Sequence, residues 1–275
     1  TPLYSSAASD VYKRQVLKPI VFARAVDNET LEPDEYMEIP RRLELGNKVI
    51  TDTKAYGKLT PKEIIAFSSQ VGASKIALKL GYDNLKNNYY DFGFSKPISI
   101  NFPSAAFGLM NVKESVSDRE LASLGYGYGF TVSPFQITAA YSTFANSGIR
   151  KDFKLLMNDE VTSQRIISKL SAKHTLEALQ KVVKIGTGKK ADISGFTEGG
   201  KTGTVHRTIF GEGYADDLYR ASFVGIAPLK EESLTIFVSI EDPGLNAYSG
   251  GMIAAPLFAK IAESSLNYLG YQKDD

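Results

Sequence analysis

Three groups of residues in this chain have the types and spacing for polar chemistry. Lys18 heads an apolar stretch of helical type, Ile20-Val21-Phe22-Ala23-Arg24-Ala25-Val26. Ser68-Ser69-Gln70 is a polar break between two apolar helical segments. Lys201-Thr202-Gly203-Thr204 follows Gly199-Gly200 and leads into Val205-His206-Arg207. Glycine on both sides of a lysine lets a strand backbone approach a ligand with no Cβ in the way. The lysine supplies a positive charge and the threonines supply hydroxyls, which suits a strand edge that holds a carboxylate-bearing substrate along its main chain. Taken singly, each group has a plainer reading: a turn entering a strand, a solvated helix lysine, a solvated helix junction.

Composition narrows the chemistry. The chain has 275 residues, enough for one sizeable core and a subdomain. Its 43% hydrophobic and 23% charged content is that of an ordinary globular protein. A net charge of +1 gives no footing for nucleic acid or an acidic membrane surface. Cysteine is absent, which excludes disulfides, thiolate catalysis and cysteine metal sites. The two histidines, His174 and His206, are too few for a histidine-rich metal site, and no cofactor motif is present. His206, two residues past Thr204, reads as a surface strand residue. No run reaches the roughly 18 apolar residues that span a bilayer, and the head lacks the apolar core of a signal peptide.

The elements that must position these groups are legible from their ends. Thr60-Pro61-Lys62-Glu63 combines a threonine cap, proline at the first helical position and a glutamate that closes the capping box. That helix carries Ile64, Ile65 and Phe67; a second, with Val71, Ile76, Ala77 and Leu80, stops near Gly81. Residues 82–111 read as loop with a short helix. Ser133-Pro134-Phe135-Gln136 repeats the capping-box design after the alternation Leu124-Gly125-Tyr126-Gly127-Tyr128-Gly129, and its helix runs to Asn146 with Gly148 as the stop. A helix is predicted over 168–185, with Leu170, Leu176, Leu179, Val182 and Val183 apolar, ended by Gly186-Thr187-Gly188. After the Lys201 strand, Ala221–Ala227 and Leu234–Ile240 read as an antiparallel hairpin. Pro256 opens a last helix, which Gly270 ends.

In joint order and spacing, Lys18, Ser68-Ser69-Gln70 and Lys201-Thr202-Gly203 resemble the Ser-x-x-Lys, Ser-x-Asn and Lys-Thr-Gly motifs of the penicillin-binding proteins. Further likeness lies in Gly125-Tyr126-Gly127 followed by Thr131-Val132-Ser133-Pro134-Phe135-Gln136, in Gly186-Thr187-Gly188, and in Tyr248-Ser249-Gly250-Gly251. The chain is similar to the transpeptidase domain of class B enzymes, of the division-specific type called penicillin-binding protein 3. The resemblance implies an α+β fold, three-layer αβα, of the serine β-lactamase and D,D-transpeptidase kind. It implies septal peptidoglycan D,D-transpeptidation without metal or cofactor. Its partners would be D-Ala-D-Ala stem peptides, β-lactams and divisome proteins including a membrane glycosyltransferase, and its catalytic domain would be periplasmic on the bacterial inner membrane. Lys18 would be the general base, Ser68 the proton relay and Gln70 the amide ligand. Lys201, Thr202, Gly203 and Thr204 would hold the substrate carboxylate, with the N–H groups of Thr204 and of the nucleophile as the oxyanion hole. The alternatives are a hydrolytic carboxypeptidase or β-lactamase relative and a non-catalytic division scaffold of the same fold.

The chain departs from that pattern twice. Gln15 stands where the nucleophilic serine belongs, three residues before Lys18, so acyl-enzyme formation is not expected of the chain as written. Gln70 replaces asparagine, which keeps the amide and adds a methylene. Residues 3–15, LYSSAASDVYKRQ, resemble translated sequencing adaptor, so 1–15 is read as a foreign or disordered head, 16–270 as a truncated transpeptidase domain and 271–275 as a tail. The sheet is then expected to lack its N-terminal strands, leaving an apolar face that favours a poorly soluble or molten product.

Overall fold

The computed structural model describes residues 16–97, 108–110, 112–129, 131–209, 213–230, 232–244 and 247–274. The head, with Gln15, lies outside the described residues, as do residues 98–107. Helix α1 (Lys18–Asp27) carries Pro19 in its first turn, where a missing N–H costs nothing. Its residues Ile20, Val21, Phe22 and Ala23 are all buried, so this is a central helix rather than a surface one. Four short strands follow: β1 (Met37–Ile39), β2 (Arg42–Leu45), β3 (Lys48–Thr51) and β4 (Gly57–Leu59). They form two small antiparallel pairs, β1 with β4 and β2 with β3.

Both predicted capping boxes form. Thr60 and Glu63 close one at α2 (Pro61–Ala66), and Ser133 and Gln136 close the other at α6 (Pro134–Ala145). Between them lie α3 (Gln70–Leu80), stopped at Gly81 as expected, α4 (Tyr82–Asp91) and α5 (Asp118–Leu124). Helix α4 occupies ten residues of the segment read as mainly loop. Its Leu85, Asn88 and Tyr89 are buried on one face, and Arg24 of α1 bonds Asn88 and Asp91 from beneath. Tertiary packing here overrides a sequence rich in asparagine. A small pair, β5 (Ile149–Lys151) with β6 (Ser163–Arg165), precedes α7 (Lys169–Lys184). Leu170, expected on the apolar face of α7, is exposed.

The central sheet has three described strands in antiparallel order β7 (Gly199–Ile209), β8 (Gly213–Ala227), β9 (Leu234–Glu241). Lys201 lies opposite Val224, and Val224 opposite Phe237. Alternation along β8 sends Val224 and Ile226 to the core built by α1, α3, α6 and α7. Phe223 and Ala227 point to the other face, where Phe258, Ala262 and Leu266 of α8 (Ala255–Tyr268) cover them. Helices on both faces make the architecture α+β in three layers, as expected.

Glycine is required where layers approach most closely. A Cβ on Gly200 would lie 2.5 Å from the Val224 carbonyl oxygen and 2.5 Å from the Phe223 ring. Gly200→Ala should therefore cost about 1–3 kcal/mol, the usual penalty of overpacking. Urea denaturation followed by circular dichroism measures it; an unchanged midpoint would contradict this packing.

Candidate active site

Helix α2 ends in a left-handed turn with a serine in it. Ser68 has φ of 58°. Its N–H donates to Ile65 O and the Ser69 N–H to Ile64 O, the paired bonds of a Schellman motif with Ser68 at the position that usually holds glycine. A non-glycine residue there costs roughly 1–2 kcal/mol. The turn aims both polar groups of Ser68 at one point: Lys18 Nζ lies 2.5 Å from its carbonyl oxygen and 3.1 Å from its Oγ. Lys201 Nζ reaches the same Oγ from β7 at 3.0 Å, while bonding Thr202 O and Oγ1 at 3.2 and 3.3 Å. Three segments far apart in sequence thus converge on one hydroxyl.

Both amines are out of water: Lys18 is 1% exposed and Lys201 0%. Burial pushes Lys18 down from 10.5 to about 7, with the Asp52 carboxylate pulling the other way. Burial, then the charge of Lys18, pushes Lys201 well below its ordinary value. The pair therefore holds fewer protons than two exposed lysines would. A neutral Lys18 has a lone pair, and only the neutral form can take a proton.

The turn is fixed from behind by a residue that carries no motif. Asp52, buried at the end of the β2–β3 pair, accepts from Ser69 Oγ at 2.5 Å and from the Gln70 N–H at 2.6 Å. Val71 N–H adds a third bond at 3.3 Å. Ser69 in turn caps α3 by accepting from the Gly72 N–H at 2.8 Å. A carboxylate at a helix N-terminus has favourable charge as well as unsatisfied donors to bond. No local pattern marks Asp52 in the sequence, because its partners lie 17 and more residues onward.

Gln70, expected at the site, is the first residue of α3, and its side chain is half-buried. The Gly186-Thr187-Gly188 segment wedges between α2 and β7: Thr187 N–H donates to Ala66 O, and Thr187 Oγ1 lies 2.8 Å from Thr202 Oγ1. Thr204 Oγ1 accepts from the Gly250 N–H at 3.1 Å, which leaves its own proton free to donate. A Cβ on Gly250 would meet the Ser222 and Gly203 carbonyl oxygens at 2.2 and 2.5 Å, so the Tyr248–Gly251 loop lies directly on the strand. Tyr141 of α6 is buried and donates its OH to Val16 O at 2.7 Å, which anchors the approach to Lys18. His206 is exposed on β7, its ring 4.4 Å from that of Tyr219. Among the described residues no group of three or more metal-ligating side chains gathers, and no helix is long and apolar enough to cross a membrane.

A strand-borne Lys-Thr-Gly facing a helix-borne lysine across a Ser-Ser turn, on an antiparallel sheet covered on both faces, defines the class of penicillin-recognising acyl-transfer folds. A family model described as the penicillin binding protein transpeptidase domain matches residues 2–263, and the chain belongs to that family. The chain is 30% identical over 257 residues to the probable peptidoglycan D,D-transpeptidase PenA of Neisseria flavescens, covering 92% of this chain and 64% of that one. It is 27% identical over 279 residues to the peptidoglycan D,D-transpeptidase FtsI of Buchnera aphidicola subsp. Baizongia pistaciae, covering 98% of this chain and 48% of that one. Among solved structures, the apo transpeptidase domain of Burkholderia pseudomallei penicillin-binding protein 3 superposes with a TM-score of 0.91 at 30% identity, covering 99% of this chain and 84% of that chain. The chain thus spans about half to two-thirds of the length of these two curated relatives.

A buried lysine that must lose its proton at neutral pH costs stability. Lys18→Met should raise unfolding free energy at pH 7 by about 1–4 kcal/mol, the range seen when buried charged groups give way to apolar ones of similar size. The sign of the pH effect follows from proton counting. Between about 7 and 10.5 the unfolded chain binds more protons at Lys18 than the folded one, so wild-type stability rises with pH across that window. The advantage of the variant should narrow from pH 7 to pH 9. Denaturant titrations at both values measure this; an advantage that is absent or grows with pH would refute a buried Lys18 near neutrality.

Proposed function

We propose that this domain is the acyl-transfer core of a septal peptidoglycan D,D-transpeptidase. The observation that carries the reading is the convergence of two buried lysines, Lys18 and Lys201, on the Ser68 hydroxyl. In this reading a hydroxyl at position 15 attacks the carbonyl carbon of the penultimate D-alanine, and Lys18 takes its proton. Backbone N–H groups of residue 15 and Thr204 hold the oxyanion. Ser68 passes a proton to the departing amine of the terminal D-alanine, and an ester to the donor stem peptide remains. An acceptor amine then attacks that ester, its proton returns through the same path, and the hydroxyl is regenerated. Thr202 and Thr204 would bind the substrate carboxylate. Lys201, too buried to meet it openly, would hold Ser68 and Thr202 and supply the field. Gln70 would bind the substrate amide from one methylene further out than asparagine.

The sequence as written has Gln15 at the nucleophile position, and glutamine has no hydroxyl to acylate. The polypeptide itself is therefore read as inactive, with 1–15 as a head distinct from the domain at 16–270. Gln15 also favours a second reading, a non-catalytic scaffold of the same fold that serves division by binding. Periplasmic placement beside the inner membrane, with stem peptides, β-lactams and divisome proteins as partners, belongs to the first reading.

One experiment separates the two. The chain and its Gln15→Ser variant are incubated with benzylpenicillin, and intact mass is recorded. The variant should gain one covalent penicilloyl group and the parent none. The acylation rate of the variant should rise with pH through about 7 and then level as Lys18 loses its proton. A variant that folds like the parent yet gains no adduct would overturn the catalytic reading, and an adduct on the parent would overturn the assignment of position 15.

A further inference from the structure

A second polar centre lies away from the lysine pair. The β2–β3 hairpin and α5 enclose a cavity of about 660 Å³, within the size range of sites that bind peptides and small ligands. Four charged side chains line it: Lys48, Lys113, Arg119 and Glu120. Lys113 and Glu120 neutralise each other at 2.5 Å. The other two meet neutral groups. Lys48 Nζ donates to Ser123 Oγ at 2.6 Å and sits 5.9 and 5.4 Å from the ring centroids of Tyr126 and Tyr128. Arg119 Nη1 donates to the Asn47 side-chain oxygen at 2.8 Å. The described ion pairs give neither cation a carboxylate partner.

The walls between these cations are apolar and open. Val49 is 51% exposed and Tyr128 39%, while Val116 and Leu124 pack back onto the core. A concave site with low-dielectric walls focuses the field of its charges. A guanidinium that meets only a neutral amide is suited to a carboxylate, which it can grip through two parallel N–H bonds. With a whole-chain charge of +1 and only two such cations, the site is a point receptor and not the basic stripe that nucleic acid requires. None of its lining residues belongs to the Lys18, Ser68 and Lys201 cluster.

We propose that this cavity docks an acidic peptide segment of a protein partner, with a carboxylate between Lys48 and Arg119 and an apolar side chain against Val49 and Tyr128. The proposal does not depend on acyl transfer, and it stands if position 15 proves non-catalytic.

The test is fluorescence anisotropy on the full chain with a labelled ten-residue peptide of alternating leucine and aspartate, acetylated and amidated. It should bind saturably and weaken as salt rises. The leucine–asparagine analogue should bind at least about tenfold more weakly, as should Lys48→Gln with Arg119→Gln against the original peptide. Arg150→Gln should leave binding unchanged, because Arg150 lines a different cavity together with Lys96 and Lys151. Thermal melting checks the fold of each variant, and a charge-reversed chain (Lys48→Glu with Arg119→Glu) should instead bind a leucine–lysine peptide. Equal binding of the asparagine analogue, unchanged binding by the double variant, or failure of the reversed pair to exchange specificity would overturn the proposal. So would displacement of the probe by a soluble muropeptide, which would assign the cavity to the substrate strand.

Discussion

Everything in the site depends on two lysines that share one serine hydroxyl inside the protein. Water would keep both amines charged, and two ammonium groups that touch the same oxygen repel each other strongly once water is gone. Burial and mutual repulsion therefore push both lysines toward the neutral form. In the reading proposed above, that shift is what would let Lys18 act as a base, since a lysine is a base only when neutral. It also costs stability, which must come from elsewhere. The two cores on either face of β8 provide it: one joins α1, α3, α6 and α7 to the sheet and the other joins α8 to it. Lys18 and Lys201 both project from elements that these cores immobilise, so neither amine can turn outward to recover its hydration.

The same logic explains the backbone of the site. Ser68 occupies a left-handed position that glycine would fill more cheaply. Glycine would satisfy the Schellman turn but would bring no hydroxyl to the meeting point of Lys18 and Lys201. Strain at Ser68 is held by the helix on each side of it and by Asp52, which bonds Ser69 and the first N–H groups of α3. On the far side, Gly250 and Gly251 press against β7 and Thr187. The hydroxyls of Thr187, Thr202 and Thr204 are thereby set in rows rather than left to rotate.

Much of this was legible in the sequence, and the parts that were not share a cause. Capping boxes at Thr60 and Ser133 marked two helix starts because every group involved lies within four residues. The hairpin at 221–240 showed in its β-branched runs. Lys18, Ser68 and Lys201 were recognisable as a set because their order matches a known pattern. Helix α5 gives little periodic signal although Ser117 and Glu120 form a third capping box, since it is short and bears few apolar residues. The sequence of α4 reads mostly as loop because its buried face is set by contact with α1 rather than by its own composition. Asp52 and the Tyr141 hydroxyl stayed hidden for the plainest reason: each acts on a backbone group distant in sequence, and nothing in local spacing encodes such a bond.

The proton deficit also suggests how such a site can assign roles to two chemically equal side chains. In the free protein burial lowers both lysines, and little beyond the Asp52 carboxylate, which favours a proton on Lys18, distinguishes them. In the proposed reading, a substrate carboxylate at the Thr202 and Thr204 hydroxyls would change the balance, because a nearby negative charge raises proton affinity most at the closest amine. Lys201 adjoins Thr202 in sequence and bonds its hydroxyl, so the proton should settle there. Once Lys201 is charged, its repulsion holds Lys18 neutral. Binding at the carboxylate end would then prepare the base at the reacting end, through a hydroxyl that touches both amines and with no movement of the backbone.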